Sequence, residues 1–110
     1  MSYRLVQELA VDGVRVAPEL RAYIADITRA TRVDPAIALG ASPRATVALM
    51  RAARAAAVLD GRDYAVPDDA KRRAPAALRH RITLAPEVEV EGRSVDDVLA
   101  AILTRVVAPQ

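Results

Sequence analysis

Twenty-four of the 110 residues are alanine. Alanine is the strongest intrinsic helix former, because it loses no side-chain freedom in a helix. Only three residues are aromatic, none of them Phe or Trp, so any core must be aliphatic and built from small side chains. Both facts point to packed helices. A chain of this length supports one modest core. With half its residues apolar it is not disordered by composition.

Composition also closes off several chemistries. There is no Cys, which excludes a disulfide scaffold, a thiolate metal site and a Cys nucleophile. His80 is the single histidine, which excludes a His-pair zinc site. Apolar runs such as 55–59 fall far short of the ~20 residues that span a bilayer. The start, Met1-Ser2-Tyr3-Arg4, lacks the apolar core of a secretory signal. A soluble cytoplasmic domain with no membrane insertion is the expectation. Fifteen Arg stand against one Lys, Lys71. Guanidinium groups bind phosphate bidentately, but the net charge is only +2 and acidic residues are interspersed throughout. The bias fits a GC-rich coding sequence better than a nucleic-acid surface.

Hydrophobic spacing and Pro/Gly punctuation divide the chain. Val14-Arg15-Val16 reads as a short extended stretch. Pro18 suits a helix start, and Leu20, Tyr23, Ile24 and Ile27 continue it at helical spacing over about 18–30. Asp34-Pro35 reads as a loop. Ser42 can cap a second helix with Pro43 at its first position, running to Leu59 and stopping near Gly61. That helix is apolar nearly all round, broken by Arg44, Arg51 and Arg54 on one side, which predicts a central position in a bundle. A third helix opens at Pro67-Asp68-Asp69, and Pro75 should kink or split it. Ile82 and Leu84, then Val88 and Val90, alternate with polar residues about Pro86, predicting a small hairpin or two short extended pieces. Ser94-Val95-Asp96-Asp97 is a capping-box pattern. Behind it Val95, Val98, Leu99, Ile102, Leu103 and Val106 form an apolar stripe, with Pro109 as terminator. The predicted fold class is all-α: a small bundle of four to five helices with a minor β hairpin or short extended segments.

No G-x-x-x-x-G-K-[ST] loop is present to hold a triphosphate. No catalytic triad order or paired-carboxylate spacing stands out, so the chain alone does not read as an enzyme. The informative stretch is Leu39-Gly40-Ala41-Ser42-Pro43-Arg44-Ala45. Gly40 allows a tight approach, while Ser42 and Pro43 set the helix start. Arg44 then places a cation in a first turn, where the helix dipole favours anions. Free N–H groups and a guanidinium there would favour one common ligand, a phosphate.

These residues resemble the sensor-2 segment of MoxR-type AAA+ ATPases, relatives of the magnesium-chelatase ATPase subunit. The resemblance runs through Thr31-Arg32, Ala52-Ala53-Arg54-Ala55, Gly61-Arg62-Asp63-Tyr64, Val66-Pro67-Asp68-Asp69 and Leu78-Arg79-His80-Arg81-Ile82, in the family's order, over about residues 14–109. It implies that 14–110 is the C-terminal helical lid and 1–13 a lead-in from a nucleotide-binding domain absent from this sequence, Met1 not being a native start. It implies that Arg44 is the sensor-2 arginine that reaches the ATP γ-phosphate, with Gly40, Ser42 and Pro43 at the same nucleotide-facing turn. The intact protein would use ATP and Mg2+. The isolated domain would hold neither cofactor nor metal. Implied partners are its own nucleotide-binding domain, neighbouring subunits of a hexameric ring, and a von Willebrand factor A-type protein. The rival reading is an Arg-rich helical domain for nucleic acid or protein interaction.

Other polar residues carry plainer expectations. Arg62 is expected to meet the carbonyls at the preceding helix end. Asp68 and Asp69 are expected as helix-start charges. His80 is expected as a structural hydrogen-bonding residue, and Arg51 with Arg54 as a solvated face.

Overall fold

The computed structural model describes residues 10–109. Its order is α1 (Pro18–Val33), β1 (Ile37–Leu39), α2 (Pro43–Leu59), α3 (Pro67–Leu78), β2 (Thr83–Leu84), α4 (Pro86–Val90) and α5 (Val95–Arg105). The all-α class with a minor antiparallel pair holds. Of the suggested lead-in over 1–13, residues 1–9 lie outside the described residues.

Proline opens four of these helices. Pro18, Pro43, Pro67 and Pro86 each stand in the first turn, where a missing N–H costs no helical bond. The fifth, α5, uses side chains instead. Ser94 Oγ accepts from the Asp97 N–H at 3.0 Å, and Asp97 returns the bond to the Ser94 N–H at 2.9 Å. These bonds hold the Asp97 carboxyl below its usual pKa, chiefly through the Ser94 backbone N–H.

Helix α1 occupies the centre, packing on α2, α3, α5 and β1. It buries Leu20, Tyr23, Ile24, Ile27, Thr28 and Thr31 along one face. The sequence placed α2 there instead. In fact α2 packs on α1 and α3 and buries Ala45, Leu49, Ala53, Ala56 and Ala57 on one side only. Val47 and Leu59 remain 59% and 74% exposed. Its apolar circumference arises from alanines that face solvent as cheaply as they face a core. Alanines also make the α2–α3 contact, with Ala53 and Ala57 opposite a helix that buries Ala70 and Ala74. Leu78, Val98, Leu99 and Ile102 complete the core.

Four local expectations change. α3 continues through Pro75 without splitting. Its missing N–H frees the carbonyl of Lys71, an exposed residue, where water can replace the lost bond. The strand partner of Thr83–Leu84 is Ile37–Leu39, from the far side of α2, with Ile37 opposite Leu84 and an irregularity before Leu39–Thr83. Residues Pro86–Val90 are helical, not extended. α5 ends at Arg105, before Pro109, because Val106 turns extended. The Val14–Val16 stretch does contribute a parallel bridge, Arg15 to Tyr64.

Candidate functional site

The entry to α2 is built from α1. Thr31, fully buried, donates from Oγ1 to the Thr28 carbonyl at 2.6 Å. The same hydroxyl accepts from the Ala41 N–H at 2.8 Å. Arg32 Nε donates to the Ala41 carbonyl, also at 2.8 Å. Ala41, 1% exposed, therefore has both backbone groups clamped by consecutive side chains of α1. One residue earlier, a side chain on Gly40 would come within 2.7 Å of the Arg32 Cα and the Thr31 carbonyl oxygen. Gly40 is thus a close-approach glycine: the loop lies directly on the backbone at the end of α1. Thr46 Oγ1 adds a bond to Thr28 Oγ1 at 3.0 Å from inside α2.

The four predicted site residues, Gly40, Ser42, Pro43 and Arg44, flank the clamped Ala41. Ser42 is the N-cap residue by backbone geometry, but its hydroxyl makes no cap bond. Its carbonyl accepts from the Ala45 and Thr46 N–H groups at 2.9 and 3.3 Å. Pro43 follows at the first helical position. Ser42, Pro43 and Arg44 are exposed, and Gly40 is half-buried. Among the described residues Arg44 has no ion-pair or hydrogen-bond partner, either at its guanidinium or at its N–H. The turn therefore presents a cation, an unpaired N–H and a hydroxyl on a rigid mount. That set suits an anion. Among the described residues no group of three or more His, Asp or Glu is placed to hold a metal ion.

A second arginine closes the other end of α2 in the opposite manner. Arg62 donates to both oxygens of Asp69, at 2.9 and 2.8 Å, to Asp60 at 2.9 Å and to the Tyr64 carbonyl at 2.9 Å. Its guanidinium carbon lies 5.7 Å from the Tyr64 ring centroid. Asp69 is fully buried and also accepts the Val66 N–H at 2.8 Å and Arg72 at 3.3 Å. Burial alone would raise the Asp69 carboxyl's pKa, but Arg62 and the Val66 N–H overcome it and hold it low. Hydrogen bonding to Asp69, then to Asp60, raises the Arg62 pKa in turn. Arg62 does meet the preceding helix end, its backbone N–H donating to the Ala57 carbonyl at 2.9 Å, but its guanidinium goes to carboxylates and one following carbonyl. Asp69 is the expected helix-start charge, accepting the N-cap N–H of Val66, and is also the buried centre of a four-residue network. Asp68 does stay exposed, paired with Arg72 at 3.0 Å.

The remaining marked residues separate. Arg51 is exposed and Arg54 half-buried, with its Nε enclosed and unbonded. They do not form one continuous solvated face. His80 is exposed and makes no hydrogen bond with the described residues, so it is not a structural bonding residue; with Arg81 it lines a cleft between α2 and α3. No helix among the described residues is long and apolar enough to cross a membrane.

This arrangement is shared with known proteins. The AAA lid domain family matches residues 29–102, which include the clamp and Arg44. The chain is 41% identical to the uncharacterized Bacillus subtilis protein YeaC, over 90% of this chain and 31% of that one. It is 34% identical to the chaperone MoxR1 of Mycobacterium tuberculosis, over 96% of this chain and 30% of that protein. A solved structure described as a candidate ATPase from Cytophaga hutchinsonii superposes with a TM-score of 0.87 at 34% identity, covering 93% of this chain and 34% of that one. The chain therefore spans about a third of the length of the relatives it matches. It belongs to the AAA lid domain family and is a lid of the MoxR type.

Proposed function

We propose that this lid serves a larger MoxR-like ATPase as its nucleotide sensor, with Arg44 contacting the ATP γ-phosphate. The observation that supports the reading most is the contrast within one turn: Ala41 is clamped on both backbone groups, while Arg44, three residues on, has no partner among the described residues. A cation on so rigid a mount cannot follow a phosphate by itself. It follows only if the whole lid moves, so nucleotide state becomes lid position. Phosphoryl transfer depends on positioning and charge stabilisation, and an arginine supplied by a separate element is a recurrent component. Gly40 and Pro43 set where that element starts, and the Ser42 hydroxyl and Arg44 N–H offer further donors to the same anion.

In this reading residues 14–110 form the lid and the nucleotide-binding domain lies elsewhere in the parent protein. ATP is the substrate there, and its Mg2+ takes its ligands from outside this chain. Lid motion then couples hydrolysis to remodelling or activation of partner proteins. A hexameric ring and a von Willebrand factor A-type partner, both implied by the family resemblance, belong to the same proposal. Arg44→Ala in the intact ATPase tests it: turnover should fall, by up to ~10³-fold on the scale of supplied arginines. Arg44→Lys should not restore it fully, since an ammonium lacks the planar fork. The isolated chain should bind Mg-ATP with a dissociation constant weaker than about 1 mM, which calorimetry checks.

A further inference from the structure

Between α2 and α3 lies an open cleft of about 640 Å³. Its floor is alanine from both helices: Ala48, Ala52 and Ala55 on α2, Ala76 and Ala77 on α3. Leu59, 74% exposed, closes one end. The rim is Arg73, His80 and Arg81, and no carboxylate among the described residues lines the cleft.

The charges around it are sorted. Arg72 turns to Asp60, Asp68 and Asp69. Arg79 turns to Asp96, with bonds of 3.0 and 2.9 Å. Arg73, next to Arg72, and Arg81, two positions after Arg79, face the cleft and form no ion pair with the described residues. Arg72 and Arg79, beside the cleft, are thus neutralised, while Arg73 and Arg81 on its rim are not. An apolar floor under an unneutralised basic rim is complementary to an apolar strip flanked by carboxylates.

The floor also sets a length. Ala48 to Leu59 is twelve residues of helix, ~18 Å at 1.5 Å per residue. The small side chains let a second helix lie close against it. The chain's own exposed acidic element is α4, with Glu87, Glu89 and the 86%-exposed Val90, but it has only five residues, ~8 Å. It is too short to cover the floor.

We propose that this cleft docks an acidic amphipathic helix of about three turns from a partner protein, its apolar strip on the alanine floor and its carboxylates on Arg73 and Arg81. The proposal is independent of Arg44 and of nucleotide.

The test uses the whole chain and a labelled 18-residue helical peptide with Leu at i, i+3, i+4 and i+7 repeats and Glu on both flanks. The control peptide carries Lys at every Glu position. Fluorescence anisotropy in physiological salt should show micromolar binding of the Glu peptide and at least tenfold weaker binding of the Lys peptide. The exposed pair Arg73→Glu/Arg81→Glu should reverse that preference, and Arg51→Glu, outside the cleft, should leave it unchanged. Ala52→Trp, which fills the floor, should weaken the Glu peptide at least tenfold. Should Ala52→Trp melt non-cooperatively, the charge pair alone decides. Equal binding of both peptides overturns the proposal, as does a Glu preference that survives Arg73→Glu/Arg81→Glu. Concentration-dependent dimerisation of the chain, abolished by Arg73→Glu/Arg81→Glu, would assign the cleft to a second copy and also overturn it.

Discussion

Arg44 and Arg62 stand at opposite ends of α2 and share only their chemistry. Both terminal nitrogens of Arg62 are occupied: Asp60, Asp69 and the Tyr64 carbonyl take their donors, and the Tyr64 ring lies against the guanidinium. Arg44 is exposed and bonded to no described residue, although Ala41, three residues before it, is held at both backbone groups. A guanidinium that completes a buried carboxylate belongs to the fold. One held out on a rigid turn with nothing to bind is available for a ligand. The difference lies in the partners, not in the residue or in its distance from a helix end.

The comparison can be broken first at the Arg62 end. Asp69→Ala removes a fully buried carboxylate and strands Arg62 and the Val66 N–H. Breaking buried pairs costs about 3–5 kcal/mol, and the lower figure applies because Arg62 keeps Asp60. The melting temperature should fall by roughly 12 °C or more. A loss below about 1 kcal/mol would show that the network does not pin α2 to α3.

Next come the residues that mount Arg44. Gly40→Ala forces a methyl group to within 2.7 Å of α1 backbone, so the loop must shift. Overpacking of this kind costs about 2 kcal/mol, measurable by urea denaturation. Thr31→Val keeps the shape but leaves the buried Ala41 N–H unpaired, at about 1.5 kcal/mol. Both should also lower ATP turnover in the intact protein through displacement of Arg44, although neither touches nucleotide.

Acid provides a smaller and graded test. The carboxyls of Asp69, Asp34 and Asp97 are held below their ordinary value of 3.8. For Asp34, burial opposes the shift, and the Ala36 N–H and Arg105 prevail. Folding favours the charged form of each, so the unfolded chain binds more protons between the folded and unfolded pKa values. Their stabilisation is present above about pH 4 and is lost as pH falls through the lowered values. Melting temperature followed from pH 6 to pH 2 should drop at the acid end, and Asp69→Ala should flatten that drop. A curve unchanged by Asp69→Ala contradicts the network.

What the sequence revealed followed the range of the forces involved. The α5 cap was legible because Ser94 and Asp97 bond each other across three residues. The position of Arg44 was legible because Pro43 marks the first helical residue. Asp69 was not, because a carboxylate in a first turn looks the same whether it faces water or an arginine seven positions back. The β pair was missed because Ile37–Leu39 and Thr83–Leu84 meet only after α2 and α3 have folded between them. α4 was missed because Val88 and Val90 alternate with glutamates, and five residues are too few to show a helical period. A signal was nevertheless present, since Pro86-Glu87 repeats the Pro18-Glu19 opening of α1. Thr28 and Thr31 also sat in plain view, as polar residues three apart on an otherwise apolar helix face.

The central claim is that Arg44 is held ready for a phosphate and contributes nothing to the fold. Arg44→Ala, melted as the isolated chain and assayed for ATP turnover in the intact ATPase, tests both halves at once. The account predicts a stability change within about 0.5 kcal/mol, as at exposed sites generally, together with a large fall in turnover. Turnover at the normal rate, or an isolated chain that unfolds, would contradict it.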